Sequence, residues 1–326
     1  MAGLARMHAL LRDTGRIAGV ARLRPVPGGV SSTVVVVDDP AGPWVAKTPL
    51  DRLAVADEWY ADRSRALREA AVLRHLDGRV GPLRTPRLRF ADARHLVIGM
   101  DLVPPPAVTW KEELLSGRVE PAVGRLIGQG LTALHATVDG ASLGLGGPAA
   151  GRLYEQLRVD PYYRTAARRA PQVAAGLADL IGETTAPGLT RTLVHGDVNP
   201  KNVLITPAGP VLLDWELAHV GDPAFDLAMP VAHLLLKSVR ASVTAPARRS
   251  LLATAAALWR SYSGPARRDL AVRHVGGIMA ARLWGKSPVD YLTAAGERAA
   301  AEGLAVTALA GRWPLPAGLG GRGARA

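Results

Sequence analysis

The chain has 326 residues, 48% of them hydrophobic, which is enough to bury the core of one two-lobed domain or two modest ones. No apolar run approaches the roughly 18 residues needed to span a bilayer, and the absence of cysteine excludes disulfides, thiolate metal sites and a cysteine nucleophile. The net charge of +12 invites a nucleic-acid reading, but the basic residues stand singly or in pairs among alanines, with no aromatic interleaving to stack bases.

In chain order, Arg6, Arg12, Arg16, Arg22 and Arg24 interrupt any signal-peptide core, so a cytoplasmic protein is expected. Residues 1–100 read mainly as strands with one long helix. "SSTVVVVDD" and "GPWVAKTPL" are β-branched runs around the turn Asp39-Pro40-Ala41-Gly42-Pro43, a hairpin. "ADEWYADRSRALREAAVLRHLDG" has helical spacing at Leu67, Ala71, Leu73 and Leu76 and stops at Gly78. "PRLRFADARHLVIGM" suggests two more strands around a turn near Ala91 and Asp92. Pro104, Pro105 and Pro106 then break the chain, and a hinge is expected there.

Beyond the prolines helical patterns dominate, as in "PAVGRLIGQGLTALHATV" and "LLATAAALWRSYS". The expected division is a sheet lobe over 1–103, a helical lobe over 104–311 and a disordered tail over 312–326. That is an α+β, bilobal outline, and ligands favour the cleft between such lobes.

One β-rich stretch interrupts the helices: "TLVHGDVNPKNVLITPAGPVLLDWE", residues 192–216. Asp197 and Asn202 lie on a loop before a strand, and Asp214 follows the next strand after a turn at Pro207-Ala208-Gly209-Pro210. A hairpin would hold Asn202 and Asp214 at the same end. An amide oxygen beside a carboxylate suits Mg²⁺ that also takes phosphate oxygens. Asp197 could then accept the proton of an attacking hydroxyl. Phosphoryl transfer needs little more than such positioning and charge neutralisation.

The order H-x-D-x-x-x-x-N, and the fuller strings "VHGDVNPKNVLI" and "VLLDWELAHVGDPAFDLA", resemble the aminoglycoside phosphotransferase superfamily, which includes choline and methylthioribose kinases. The resemblance implies a protein-kinase-like fold. It makes Asp197 the catalytic base and Asn202 and Asp214 the metal ligands, with His195 and Asp226 bracing the loop. Trp215 and Glu216 replace the Phe and Gly of protein-kinase patterns, which favours a small-molecule kinase.

A nucleotide lobe should offer a lysine to the phosphates and an acid to hold it. Lysine is scarce here, at Lys47, Lys111, Lys201, Lys237 and Lys286 only. Lys47 in "WVAKTP" echoes the kinase V-A-I-K strand, and Glu69 on the following helix is the expected partner, with Glu58 as the other choice. Gly28, Gly29, Ser31 and Ser32 would form the phosphate-covering turn. Backbone groups at Asp101 and Val103 would read the base edge, of ATP or equally of GTP.

"EQLRVDPYYRTA" and "WGKSPVDYL" resemble the methylthioribose-kinase end of the superfamily. Arg158, Asp160, Tyr162, Tyr163, Arg164, Arg282 and Lys286 are therefore acceptor candidates; an aromatic packing corner with solvated arginines is the plainer reading. Lys201 could approach the transferred phosphate or point to water, and Lys111 and Lys237 read as surface residues. From residue 228 onward fourteen basic residues face four acidic ones, which argues against a polycationic acceptor. The expected function is Mg²⁺- and ATP-dependent phosphoryl transfer to a small-molecule hydroxyl, on a neutral or anionic sugar, a nucleoside or a nucleoside-type antibiotic. The alternatives are an aminoglycoside-type resistance kinase and a nucleotide-binding protein without catalysis. No nucleic-acid or membrane partner is expected, and the oligomeric state is left open.

Overall fold

The structure is a computed structural model and describes residues 2–17, 21–26, 29–136, 142–186 and 188–314. A five-stranded antiparallel sheet forms the first lobe, in the order 22–25, 32–38, 44–49, 97–101, 88–92. The expected hairpin pairs Val35 with Ala46, and Ala46 pairs in turn with Gly99. Strand alternation then decides what each face carries. Val35, Val37, Trp44, Ala46 and Val97 point to one face and form a small core with Met7 and Leu11 of a helix at Ala2–Asp13. Lys47, one residue beyond Ala46, falls on the opposite face.

The helix at Ala2–Asp13 was not expected from the sequence. Its apolar residues at Leu4, Met7, Leu10 and Leu11 have helical spacing, but its arginines draw attention to the question of a leader instead. The long helix runs Arg65–Leu76 and ends in a left-handed Asp77 followed by Gly78 at φ 91°. The second strand pair of the lobe turns slightly later than expected. Asp92 ends the strand, and its carboxylate accepts from the N–H groups of Arg94 and His95.

The second lobe is mainly helical and is built around helix Pro223–Ser238, every residue of which is buried. Helices 121–136, 245–261 and 268–284 surround it. A helix that is apolar on nearly all sides belongs in such a centre. Its two titratable residues in the second half, His233 and Lys237, are 2% and 1% exposed. The reading of Lys237 as a surface residue is thus corrected.

A second sheet carries the catalytic stretch. Strands Val203–Thr206 and Gly209–Leu212 pair antiparallel, Val203 opposite Leu212, as a tight hairpin. Strand Leu83–Arg84 adds to its edge in parallel, so a segment between the two lobes' sheets ties them together. Of the tail, only residues 312–314 are described; the remainder of that expectation, and the residue Gly28, lie outside the described residues. Among the described residues no helix is long and apolar enough to cross a membrane.

Candidate active site

The hairpin register puts Asn202 immediately before one strand and Leu213 immediately after the other. Leu213 N–H donates to the Asn202 carbonyl at 2.8 Å, closing that end of the pair. Asp214 follows with φ 67°, a left-handed conformation that costs a non-glycine residue energy and is found where surroundings impose it. Gly196 at φ 78° makes the turn into Asp197; a Cβ there would stand 2.8 Å from the Leu217 carbonyl oxygen.

Asp226 braces this turn from the central helix. Its two oxygens accept from His195 N–H at 2.6 Å and Gly196 N–H at 2.8 Å, with His135 Nε2 at 3.1 Å. His195 Nδ1 accepts from Asp197 N–H at 3.1 Å and its Nε2 donates to the Leu213 carbonyl at 3.0 Å. Those roles suit a neutral ring, and burial pushes its pKa below the usual histidine value despite nearby carboxylates. The geometry is that of a brace, with no free ring nitrogen to shuttle a proton.

Asp197 is held from both sides. Its Oδ1 lies 2.9 Å from Arg158 Nη2, in contact but not aligned for a hydrogen bond. Its Oδ2 accepts from Asn202 Nδ2 at 3.0 Å and lies 3.9 Å from Lys201 Nζ. Lys201 is half-exposed, so the Oδ2 side is the side open to an acceptor. Burial opposes ionisation of Asp197, but Arg158, Lys201 and their neighbours outweigh it and hold its pKa below the usual carboxylate value. The carboxylate is therefore charged and ready to take a hydrogen bond.

Across the cleft, Lys47 Nζ lies 2.7 Å from Glu69 Oε2, 2.5 Å from Asp214 Oδ1 and 3.4 Å from Glu216 Oε2. Burial disfavours the ammonium, yet the three carboxylates keep its pKa well above the usual lysine value. Glu69 carries the cost: burial, together with Asp214 and Glu216, pushes its pKa up to about 7 against the pull of Lys47. Its other oxygen accepts from Trp215 N–H at 3.2 Å, joining the lobes. Of the two glutamates considered for Lys47, Glu69 is the one in contact.

The three carboxylates each offer an oxygen within 4.8 Å of the others. The group is all-oxygen and faces Lys47 and Arg65, the latter 3.4 Å from Glu216. That donor set fits a hard divalent cation. Asn202 uses Nδ2 for both of its side-chain hydrogen bonds, which keeps its amide oxygen available to the same group.

Two contributors were not assigned these roles from sequence. Glu216 joins the carboxylate cluster and also accepts from Ser32 Oγ at 3.0 Å. Arg65, fully buried, donates to the carbonyls of Ser31, Leu50, Ala61 and Asp62 and so fixes the turn that contains Gly29, Ser31 and Ser32. Nothing in the sequence distinguishes Arg65 from the other arginines of its helix, Arg68 and Arg74. At the other end of the cleft, Asp101 N–H is taken by the Arg87 carbonyl at 2.9 Å, whereas Val103 makes no hydrogen bond among the described residues. A cavity of about 690 Å³ lies beside this segment, lined by Asp101, Val103, Pro105 and Arg84; Lys47 and Asp197 do not line it.

The acceptor candidates separate. Arg158 sits under Asp197 and stacks 5.0 Å over Tyr162. Tyr163 is fully buried and bonds His274 at 2.7 Å, a packing role. Both tyrosines lie in a π-helical stretch, Glu155–Arg164, that contains Pro161. Arg164 pairs with Glu155 at the surface. Lys286 reaches Asp160 at 3.3 Å and the Glu58 carbonyl at 3.0 Å, another tie between lobes. Among these candidates Arg158, and after it Arg282, act electrostatically on Asp197.

The chain also resembles known proteins in sequence and in fold. A family model described as "Phosphotransferase enzyme family" matches residues 22–270. Methylthioribose kinase 1 of Oryza sativa subsp. japonica is 26% identical over 254 residues, which covers 70% of this chain and 59% of that protein. The chain thus aligns with less than two thirds of that relative's length. Among solved structures, macrolide 2'-phosphotransferase MphH from Brachybacterium faecium superposes with a TM-score of 0.50 at 23% identity, covering 95% of this chain and 98% of that one. A choline/ethanolamine kinase family protein from Mesorhizobium loti gives 0.52 at 19% identity, covering 94% and 98%. These likenesses establish the kinase-like fold, and the match of the family model over most of the chain establishes more: the chain belongs to the phosphotransferase enzyme family.

Proposed function

We propose that the protein transfers the γ-phosphoryl group of ATP to a hydroxyl of a small neutral or anionic molecule, with Mg²⁺ bound. The observation that carries this reading is Asp197, a buried and ionised carboxylate fixed by Arg158 and Asn202, across the cleft from a lysine–carboxylate cluster. Asp214, Glu216 and Asn202 would hold the cation, which supplies charge neutralisation for the phosphate oxygens. Lys47, steadied by Glu69, would reach the phosphates. Val103 would meet the base edge of ATP or GTP with its free backbone groups. Gly29, Ser31 and Ser32 would cover the phosphates, although Ser32 Oγ already binds Glu216.

In the reaction the acceptor oxygen forms a bond to the γ-phosphorus while the bond to the β–γ bridging oxygen breaks. The hydroxyl proton passes to Asp197, and ADP leaves with the pair of electrons from the broken bond. Asp197 orients the hydroxyl by its hydrogen bond and is a weak base; positioning supplies much of the effect. The test is a library of hydroxyl compounds assayed for ATP and GTP consumption with and without Mg²⁺. Turnover only with Mg²⁺ and a hydroxyl acceptor supports the reading. Failure to bind either nucleotide overturns it.

A further inference from the structure

The short hairpin that ties the two sheets together carries two opposed arginines. Strands Arg79–Val80 and Leu83–Arg84 are joined by Gly81 and Pro82, with Gly81 at φ 55° making the turn. The register sets Val80 opposite Leu83 and Arg79 opposite Arg84. Val80 and Leu83 are 5% and 1% exposed and belong to the main core. Alternation sends both arginines to the other face, where directly opposed Cβ atoms stand about 4.5–5.5 Å apart. Like charges so placed destabilise a strand pair. Among the described residues, neither guanidinium has a carboxylate within salt-bridge distance or a hydrogen-bond partner.

Both arginines line the cavity of about 690 Å³ beside the hinge, a volume that suits a small ligand. Two further arginines and two aspartates line it with them. Arg89 bonds Asp101 at 2.8 Å and Arg87 lies 3.7 Å from Asp77, so both acids are taken and Arg79 and Arg84 stay uncompensated. Thr85, 6% exposed, lines the same cavity, and its Oγ1 is buried with no hydrogen-bond partner. A buried polar atom left in that state calls for an explanation, and an absent ligand is one. Much of the remaining wall is apolar, with Pro86, Pro105, Pro207 and Val211 among it. No residue of the lysine–carboxylate cluster or of the catalytic loop lines it.

We propose that this cavity is a second ligand site, which takes a small molecule with a phosphoryl group at one end and an apolar body at the other. The phosphoryl oxygens accept charge-assisted hydrogen bonds from Arg79 and Arg84, whose planar forks match them, and the shared anion relieves the repulsion between the two cations. The apolar body lies against the prolines. The occupant is distinct from the nucleotide that meets Lys47 and Asp197, so the two bind together. Binding at this site does not depend on the phosphoryl transfer proposed above.

The test uses phenyl phosphate as the probe, titrated calorimetrically into the full chain with one equivalent of ADP bound. Phenyl phosphate should bind the wild type, and bind Arg79→Met and Arg84→Met at least about tenfold more weakly. Both positions are exposed, so the variants should fold. Arg84→Lys, which keeps the charge, should weaken binding less than Arg84→Met does. Inorganic phosphate, which lacks the apolar body, should bind the wild type more weakly than phenyl phosphate, and phenol should not bind. A second ADP per chain that disappears in Arg84→Met supports the site equally. No phenyl phosphate binding in the wild type, equal affinity in wild type and Arg84→Met, or displacement of phenyl phosphate by the first ADP overturns the proposal. Absent ADP binding removes the phosphotransferase reading alone, because the comparison of wild type with Arg84→Met stands without nucleotide.

Discussion

Replacing Arg158 by methionine isolates what the buried ion pair does for Asp197. Methionine keeps much of the stem volume and its packing on Tyr162, but removes the charge 2.9 Å from Oδ1 and the donors to the Gly196 and Leu157 carbonyls. Side-chain exposures of 4% and 9% leave little solvent to screen the loss. Removing one partner of such a pair typically costs about 3–5 kcal/mol. Lys201, 3.9 Å away and half-exposed, remains as partial compensation, so the lower end, about 3 kcal/mol, is expected near neutral pH. The pH dependence follows from sign. In the wild type Asp197 has a depressed pKa, so its ionisation stabilises the fold above the unfolded value and that contribution is lost as pH falls through the folded one. Without Arg158, burial dominates and the pKa should rise. The stability gap between the two proteins should therefore be widest near neutrality and shrink in acid. The acid limb of kcat should move to higher pH with it. Urea unfolding at several pH values, and turnover of an acceptor found by the library screen, measure both. An unmoved acid limb together with a stability gap that is the same in acid and at neutrality would refute the reasoning.

Other perturbations test the remaining groups. Asp197→Asn should lower kcat by about 10²-fold or more while ADP binding, followed by calorimetry, stays near wild type. Asp214→Ala should lose the rise in melting temperature that Mg²⁺ with ADP gives the wild type, a rise worth about 2.7 kcal/mol when ligand stands a hundredfold above its Kd; Asn202→Ala should lose less, since a neutral oxygen contributes less charge. Glu69, with its pKa raised to about 7, gives stability that is present below its unfolded pKa and lost as pH rises through about 7. In EDTA, Glu69→Gln should flatten that decline, and an unchanged pH–stability curve would show that Glu69 is ionised throughout.

What was legible in the sequence is what local chain geometry controls. Asp197, Asn202 and Asp214 sit on one loop and one hairpin, so their spacing along the chain nearly dictates their spacing in space. Lys47 could be read from the likeness of "WVAKTP" to the kinase V-A-I-K strand and from the rarity of lysine. Arg158 could not, because it reaches Gly196 and Asp197 from a π-helical stretch far upstream, and its own neighbourhood looks like a surface corner. Arg65 is similar: it is one of several arginines on its helix, and its partners are backbone carbonyls with no signature in sequence. Lys237 was legible and misread. "PAFDLAMPVAHLLLKS" is apolar around its circumference, which marks a buried helix, and a lysine within it needed a reason.

The helix Pro223–Ser238 holds the catalytic turn through Asp226 in its first turn and carries His233 and Lys237 roughly two and three turns further on. One helix at the middle of the lobe therefore carries the brace of the catalytic turn and, beyond Pro230, the buried His233 and Lys237. At the ideal helical rise, Asp226 stands about 10 Å along the axis from His233 and about 16 Å from Lys237. A change that slides this helix along its axis would displace the catalytic turn with it, because the N–H groups of His195 and Gly196 hang from Asp226.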